Sequence, residues 1–214
     1  MRDHSQDRLV PSTEPDLLAE IGSARAREYA LLSTLLLTSP DAELLGRLAR
    51  LGGGPNELGQ AHDELAAAAA ACAPDDVERE HFELFVGVGR GALVPYASYY
   101  LTGFLQERPL ARLRQDLAAA GLQRCHGCVE PEDHIGVLCE IMSRLVLRAP
   151  LGDRLQRTMF ERHLEPWAPH FFDDLGRAEQ AQFYRRVAKV GRLFFQIEAE
   201  AFRFAIPEPA DAEV

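Results

Sequence analysis

The sequence predicts an all-α fold, a single globular domain of about nine to eleven helices. Apolar residues recur at steps of three and four through most of the chain, and the clearest stripe runs Phe183, Val187, Val190, Phe194 and Ile197. No segment shows the sustained two-residue alternation of β-branched residues that is typical of strands. With 214 residues, the chain is long enough to bury a full core without disulfides or metals.

The first part of the chain is predicted to hold four helices after a short tail. Residues 1–15 are polar and contain prolines, which predicts a disordered tail. The first helix starts near Asp16 and is apolar on nearly all sides between 29 and 37, as expected of a central, buried helix. Prolines and glycines separate the next three helices, which are predicted at 41–51, at 57–73 and from Pro74 onward.

The stretch 80–105, EHFELFVGVGRGALVPYASYYLTGFL, changes character three times. It begins as the end of a helix, breaks at three closely spaced glycines, and continues after Pro95 with Tyr96, Tyr99 and Tyr100. Phenol groups beside a glycine loop are typical of a recognition surface, which must be apolar and must also form hydrogen bonds. The alternative is that these tyrosines line a helix junction in the core.

The second half of the chain is predicted to contain a hinge followed by long helices. A helix from Pro109 ends at Gly121, and the loop 122–129 follows. Pro131 with Glu132 and Asp133 then predicts the start of the next helix, because proline and acidic residues are favoured in a first turn. The hinge is placed near 122–131, the folded domain at 16–206 and an acidic tail at 207–214.

Composition limits the classes of partner and the compartment. There are 33 acidic and 23 basic residues, a net charge of −10, which argues against nucleic acid as a partner. Four cysteines in a chain of this size do not make a secreted disulfide framework. The N-terminal segment has no apolar core of signal-peptide length, and the longest apolar runs are too short to span a membrane. We therefore expect a cytoplasmic protein.

Three patterns in the sequence contain residue types that can carry chemistry. Gly87, Gly89 and Gly91 could cradle a phosphate, but they follow a helix and no P-loop lysine is present. Cys125 and Cys128 have metal-ligand spacing, and His134 or Cys139 could complete the set, although a cysteine beside a buried helix face usually acts as a small hydrophobe. Asp133 and His134 could form an acid–base pair, but no nucleophile accompanies them. The sequence therefore predicts neither an enzyme nor a cofactor.

Several of these motifs resemble those of one family. The segment 130–134, Glu-Pro-Glu-Asp-His, is similar to the hinge motif of the TorD/DmsD/NarJ family of redox-enzyme maturation chaperones. Residues 84–87 resemble the family's Leu-Phe segment, residues 95–100 its proline–aromatic–serine–aromatic loop, and residues 163–167 its late helix junction. The matches lie in family order between about 25 and 204. His81 stands where an aromatic residue is usual, and Val88 where proline is common.

The resemblance implies a cytoplasmic, TorD-like chaperone. Such a protein binds the twin-arginine signal peptide and the apo form of a molybdenum-cofactor oxidoreductase, of the DMSO reductase or formate dehydrogenase type, and assists cofactor insertion. The implied peptide-binding residues are Leu84, Phe85, Pro95, Tyr96, Ser98, Tyr100, Glu130, Glu132, Asp133 and His134. The family also suggests weak guanine-nucleotide binding and a monomer that can form a domain-swapped homodimer. The alternative is a metal- or redox-sensing helical protein that uses Cys125 and Cys128.

Overall fold

The computed structural model describes residues 14–89, 91–122, 129–149, 151 and 153–205. These ranges contain ten α-helices, one π-helix and no strand, so the predicted all-α fold and helix number are confirmed. The helices are α1 (Glu14–Leu37), α2 (Ala42–Leu48), α3 (Glu57–Ala71), α4 (Pro74–His81), the π-helix (Phe82–Val86), α5 (Ala97–Thr102), α6 (Arg108–Ala119), α7 (Ile135–Arg148), α8 (Arg154–His163), α9 (Ala168–Arg177) and α10 (Tyr184–Phe204). Within this part of the chain, no helix has the length and apolar character needed to cross a membrane.

The helix α1 buries one side against its neighbours, whereas the sequence predicts burial on nearly all sides; Ala30 and Thr34, within 29–37, are exposed. Its main partner is α7, and it also packs against α10. Tyr29, Leu32 and Leu35 of α1 are fully buried, as are Leu138 and Met142 of α7. Because these residues recur at helical spacing, each helix presents one continuous apolar stripe to the other.

A buried polar network joins α1 to α10 inside the core. The Arg25 guanidinium donates to both carboxylate oxygens of Glu198 at 2.7 and 2.8 Å, and the Tyr29 hydroxyl donates to Glu198 Oε2 at 2.9 Å. Arg25 Nη1 also donates to Gln156 of α8 at 3.3 Å. A charge taken out of water must be paired, so this network permits one register between the helices that contribute to it.

The start of α10 is held by a carboxylate from α4. Glu80 is buried, and its side-chain oxygens accept hydrogen bonds from the amides of residues 182, 183 and 184 at 2.7–3.0 Å. The first amides of a helix have no partner within the helix, and they attract negative charge. Glu80 therefore fixes the position of α10 relative to the stretch that carries the glycine loop.

The predicted helix start at Pro131 is wrong. The helix α7 begins at Ile135, and residues 131–134 form a turn in which the His134 amide donates to the Pro131 carbonyl at 3.1 Å. The reason is tertiary: the Ile135 amide donates to the carbonyl of Pro95 at 2.9 Å instead of to a preceding helical turn. Proline and acidic residues favour a helix start, but contacts with a distant segment override that preference here.

Candidate functional site

The two segments that carry the family resemblance are joined to each other by backbone hydrogen bonds. The Ala97 amide donates to the carbonyl of Asp133, and the Ile135 amide donates to the carbonyl of Pro95, each at 2.9 Å. Tyr96 and His134 form an isolated antiparallel bridge between these bonds. Segments 95–98 and 131–135 therefore act as one structural unit, which we call the hinge clasp.

The Asp133 side chain holds the start of α5. Its Oδ2 atom accepts from the backbone amide of Ser98 at 2.9 Å and from the Ser98 hydroxyl at 2.6 Å. Only 2% of Asp133 is exposed. An acidic side chain is favoured at a helix start, but Asp133 stabilises the start of α5 and not of α7, which follows it in the chain.

His134 takes the capping position of α7. Its Nδ1 atom accepts from the Gly136 amide at 3.0 Å, which assigns the proton of the neutral ring to Nε2. Burial, together with the nearby His81 ring, lowers the pKa of His134 to about 3. The imidazole is therefore neutral at physiological pH and acts as a hydrogen-bond acceptor within the clasp.

The carboxylates of Glu130 and Glu132 also contact neighbouring side chains. Glu132 accepts from Nε and Nη2 of Arg114 on α6 at 3.0 and 2.8 Å and is itself buried. Glu130 is half-buried and accepts from the Tyr96 hydroxyl at 2.5 Å. Burial, together with Glu130 and Asp133, raises the pKa of Tyr96, so its phenol stays protonated and donates. Of the three acidic residues predicted for the site, Glu130 is the most accessible.

Two half-buried aromatic side chains link this region to α9 and α10. Phe85 packs edge to face against Tyr184, with ring centroids 5.2 Å apart, and lies 5.1 Å from the His81 ring. Tyr100 lies 5.4 Å from Trp167, and its hydroxyl donates to Asp174 Oδ2 at 3.1 Å. The imidazole ring of His81 thus packs where an aromatic ring is usual in the family, which explains how histidine can occupy this position.

The glycine loop folds back on the π-helix. Gly87 adopts a φ of 61°, and its amide donates to the Phe82 carbonyl. The amides of Ala92 and Leu93 donate to the carbonyls of Glu83 and Leu84. A Cβ atom on Gly91 would lie 2.6 Å from the Leu84 carbonyl oxygen, so only glycine permits this approach. The loop amides at 92 and 93 are thus used within the fold and do not cradle a phosphate.

The predicted site residues fall into two groups by exposure. Six are buried and build the frame, and four are half-buried and reach its surface. The buried group is Leu84, Pro95, Ser98, Glu132, Asp133 and His134; the half-buried group is Phe85, Tyr96, Tyr100 and Glu130. The structure therefore gathers residues 95–98 and 130–134 directly in the clasp, while Phe85 and Tyr100 contact Phe171 of α9 in common.

Exposed apolar side chains flank these residues along the chain. Phe82 and Val86 of the π-helix are 44% and 53% exposed, and Val88 of the loop is 98% exposed. Phe104, after α5, is 69% exposed. They are not among the residues that the sequence predicts for the site, and no pattern in the sequence marks them as exposed. We call Phe82, Val86, Val88 and Phe104 the apolar rim; in the sequence they lie on either side of the clasp segment 95–98.

The described residues offer no alternative metal centre. No group of three or more potential ligands comes together among them. Cys139 is fully buried in the core, and burial raises the pKa of its thiol, which agrees with its interpretation as a small hydrophobe. Cys125 and Cys128, and most of the predicted hinge loop, lie outside the described residues.

Comparison with known proteins identifies the family. A family model described as "Nitrate reductase delta subunit" matches residues 53–173, which include the π-helix, the glycine loop and the clasp. The chain belongs to the nitrate reductase delta subunit family. This membership confirms the TorD/NarJ-type resemblance that the motifs predict.

Individual relatives of this delta subunit family member are named chaperones. The chain is 27% identical over 124 residues to the chaperone protein TorD of Vibrio cholerae, which covers 53% of this chain and 56% of the relative. It is 27% identical over 125 residues to the chaperone protein TorD of Aeromonas salmonicida, covering 54% of this chain and 56% of the relative. The match thus spans about half the length of each relative. These names agree with the prediction that the chain is not an enzyme.

A solved structure supports the fold. The crystal structure of a candidate redox enzyme maturation protein from Archaeoglobus fulgidus matches with a TM-score of 0.58 at 20% identity. The match covers 80% of this chain and 93% of the other. At this identity the likeness concerns the fold alone, and it extends over most of the helices described here.

Proposed function

We propose that this protein is a redox-enzyme maturation chaperone that binds the twin-arginine signal peptide and the apo form of a molybdenum-cofactor oxidoreductase. In this role it acts in the cytoplasm, holds its client and assists cofactor insertion. The observation that carries the proposal is the hinge clasp with its apolar rim, which lies within the family-matched residues 53–173. The chaperone names of the relatives support the same role.

The apolar rim is proposed to supply most of the affinity for the peptide. A signal peptide presents an apolar stretch beside its paired arginines, and one buried aromatic anchor is worth about 2 kcal/mol or more on truncation. Phe82, Val86 and Phe104 are exposed enough to take up such a stretch. Exposed ion pairs contribute only about 0.2–1 kcal/mol each. The paired arginines are therefore proposed to orient the peptide, with Glu130 and the exposed Glu83 of the π-helix as their acidic partners.

The test compares variants that alter the rim with variants that alter other exposed apolar residues. Phe85 and Tyr100 pack against Tyr184 and Phe171, so truncating them would change folding together with binding. Phe82→Ser with Val86→Ser changes the exposed rim alone. Leu147→Ser with Ile197→Ser is the matched control, because these side chains are 66% and 45% exposed on α7 and α10.

Binding is measured by calorimetric titration with a twin-arginine signal peptide. The rim variant is expected to bind at least about tenfold more weakly, equal to about 1.4 kcal/mol, while the control stays within about twofold of the unmodified protein. A second peptide with lysines in place of both arginines tests their orienting role. Equal affinities of the rim and control variants would reject the rim as the binding surface, and no binding of the signal peptide by the unmodified protein would reject the proposed function.

A further inference from the structure

A cationic cleft lies between α3, α9 and α10. Its volume is about 460 Å³, and its lining holds five basic side chains and two carboxylates, a formal excess of three positive charges. The basic residues are Arg177, Arg185, Arg186, Lys189 and Arg192. The whole chain carries a net charge of −10, and Lys189 is its only lysine. The cleft is therefore locally positive in a molecule whose net charge is negative.

The arrangement of these cations is unfavourable without a bound anion. Arg185, Lys189 and Arg192 follow one another at steps of four and three, which places them on one face of α10, where like charges repel. Arg185 and Arg186 also lie in the first turn of α10, which contains no acidic residue. A helix start carries partial positive charge, which disfavours nearby cations. The Glu80 carboxylate offsets part of that charge at the amides of residues 182–184.

Three of the arginines are available to a ligand. Lys189 Nζ donates to Glu64 on α3 at 2.6 Å, and Arg185 donates to the carbonyls of residues 176 and 178 at the end of α9. Within the described ranges, Arg177, Arg186 and Arg192 form no ion pair and no side-chain hydrogen bond. These three guanidinium groups thus face the cleft with their donors unused by the protein.

The size of the cleft suits a small molecule. Pockets of about 300–1,000 Å³ hold ligands of this class, and this cleft lies within that range. Two small residues, Gly176 of α9 and Ala188 of α10, form part of its lining and keep it open between the helices. A Cβ atom placed on Gly176 would lie 3.7 Å from the Ala188 methyl group, so larger residues here would narrow the space.

We propose that this cleft binds a small molecule that carries two linked phosphate groups, held by Arg177, Arg186 and Arg192. The planar guanidinium group bonds phosphate oxygens in pairs, which gives both strength and geometry. Two phosphate groups carry about three negative charges at neutral pH, which balances the formal excess in the cleft. The site is independent of the hinge clasp, and the proposal does not rest on the chaperone role.

The experiment titrates inorganic pyrophosphate into the full chain at low ionic strength, followed by calorimetry. The variant Arg177→Gln with Arg186→Gln and Arg192→Gln is expected to bind at least about tenfold more weakly. The control, Arg47→Gln with Arg148→Gln and Arg154→Gln, removes the same charge from exposed arginines outside the cleft lining and is expected to stay within about twofold. Far-UV circular dichroism establishes that both variants are folded.

A gain-of-affinity variant makes the test independent of any loss of folding. Glu64→Gln releases Lys189 from its ion pair and raises the formal charge of the cleft, so it is expected to tighten pyrophosphate binding about two- to fivefold. No saturable binding, or equal weakening in the cleft and control variants, would overturn the proposal. Tighter binding of a triglutamate peptide than of pyrophosphate would also overturn it, because the cleft would then prefer an acidic protein segment.

Discussion

Replacement of Asp133 by alanine tests whether the hinge clasp is a main source of stability. The change removes an acceptor that binds both the amide and the hydroxyl of Ser98, in a setting where 2% of the aspartate is exposed. A hydrogen bond to a charged group contributes about 1.5–3 kcal/mol. With some replacement by water, the loss of two such bonds predicts a decrease of about 3–5 kcal/mol in the free energy of unfolding.

The measurement is urea unfolding followed by circular dichroism, with a matched capping carboxylate as the control. Asp41 also caps a helix, through a 2.8 Å bond from the Leu44 amide, but it is exposed. Asp41→Ala is expected to lower the free energy of unfolding by only about 1 kcal/mol. Because most domains have a total stability of about 5–15 kcal/mol, the difference between the two variants is large enough to resolve.

A double-mutant cycle isolates the bond to the Ser98 hydroxyl. Asp133→Ala and Ser98→Ala are each expected to destabilise the fold, and together by less than the sum, with a coupling energy of about 1.5–3 kcal/mol. Equal effects of Asp133→Ala and Asp41→Ala would refute the reasoning that burial of the clasp sets its strength. Additive effects of the two clasp substitutions would show that the hydroxyl bond is not important to it.

Three further predictions follow from the core and the hinge. Burial lowers the pKa of His134 to about 3 from its ordinary 6.5. Between these pH values the unfolded chain therefore binds a proton that the folded chain does not. The free energy of unfolding should fall by about 1.4 kcal/mol for each pH unit as the pH drops through this range. His134→Asn keeps a helix cap and should lose that slope in urea titrations; parallel slopes would contradict the assignment. Arg25→Ala leaves Glu198 charged and buried, so it should lower the free energy of unfolding by about 3–5 kcal/mol. Arg25→Met with Glu198→Leu should lower it by less, because no unpaired charge is left in the core. A larger loss in the double variant would contradict this explanation. Small-angle scattering of size-separated peaks should find mainly a monomer with a radius of gyration of about 17 Å and a minor domain-swapped dimer. Reductant is expected to change their proportions through Cys125 and Cys128. A single dimer that does not exchange would exclude a hinge, and identical profiles with and without reductant would exclude a role for the cysteines.

Helical periodicity was sufficient to predict the helices but not the clasp. The stripe along α10 repeats at steps of three and four, and its central residues are buried as expected. The start of α7 was mispredicted because Pro131, Glu132 and Asp133 obey the local rules for a helix start. The side chains of Glu132 and Asp133 bond instead to Arg114 and Ser98, which lie 18 and 35 positions away in the sequence. Local rules contain no information about such partners.

The sequence predicts which segments form the site, but it does not predict which site residues are buried and which reach the surface. The order of the family motifs predicts that segments 84–100 and 130–134 belong to one site. In the structure, hydrogen bonds of the clasp join residues 131–135 to residues 95–98. Residue type alone could not show that Asp133 and Glu132 are buried, since carboxylates are usually exposed. Nor could it show that Phe82 and Val86 are exposed, because apolar residues in a helix are expected to face the core.

The position of α1 has a consequence for how the protein is made. This helix is rich in leucine between 29 and 37, and its partners α7 and α10 begin about 100 or more residues after it ends. At about 5–20 residues per second, α1 leaves the ribosome roughly 5 to 20 seconds before α7 is complete. During that interval its leucines have no native surface to cover them. The ion pair between Arg25 and Glu198 forms later still, because Glu198 lies in the last helix. The core therefore closes only when the last helix has been synthesised, and the nascent chain depends on being kept from aggregation until then.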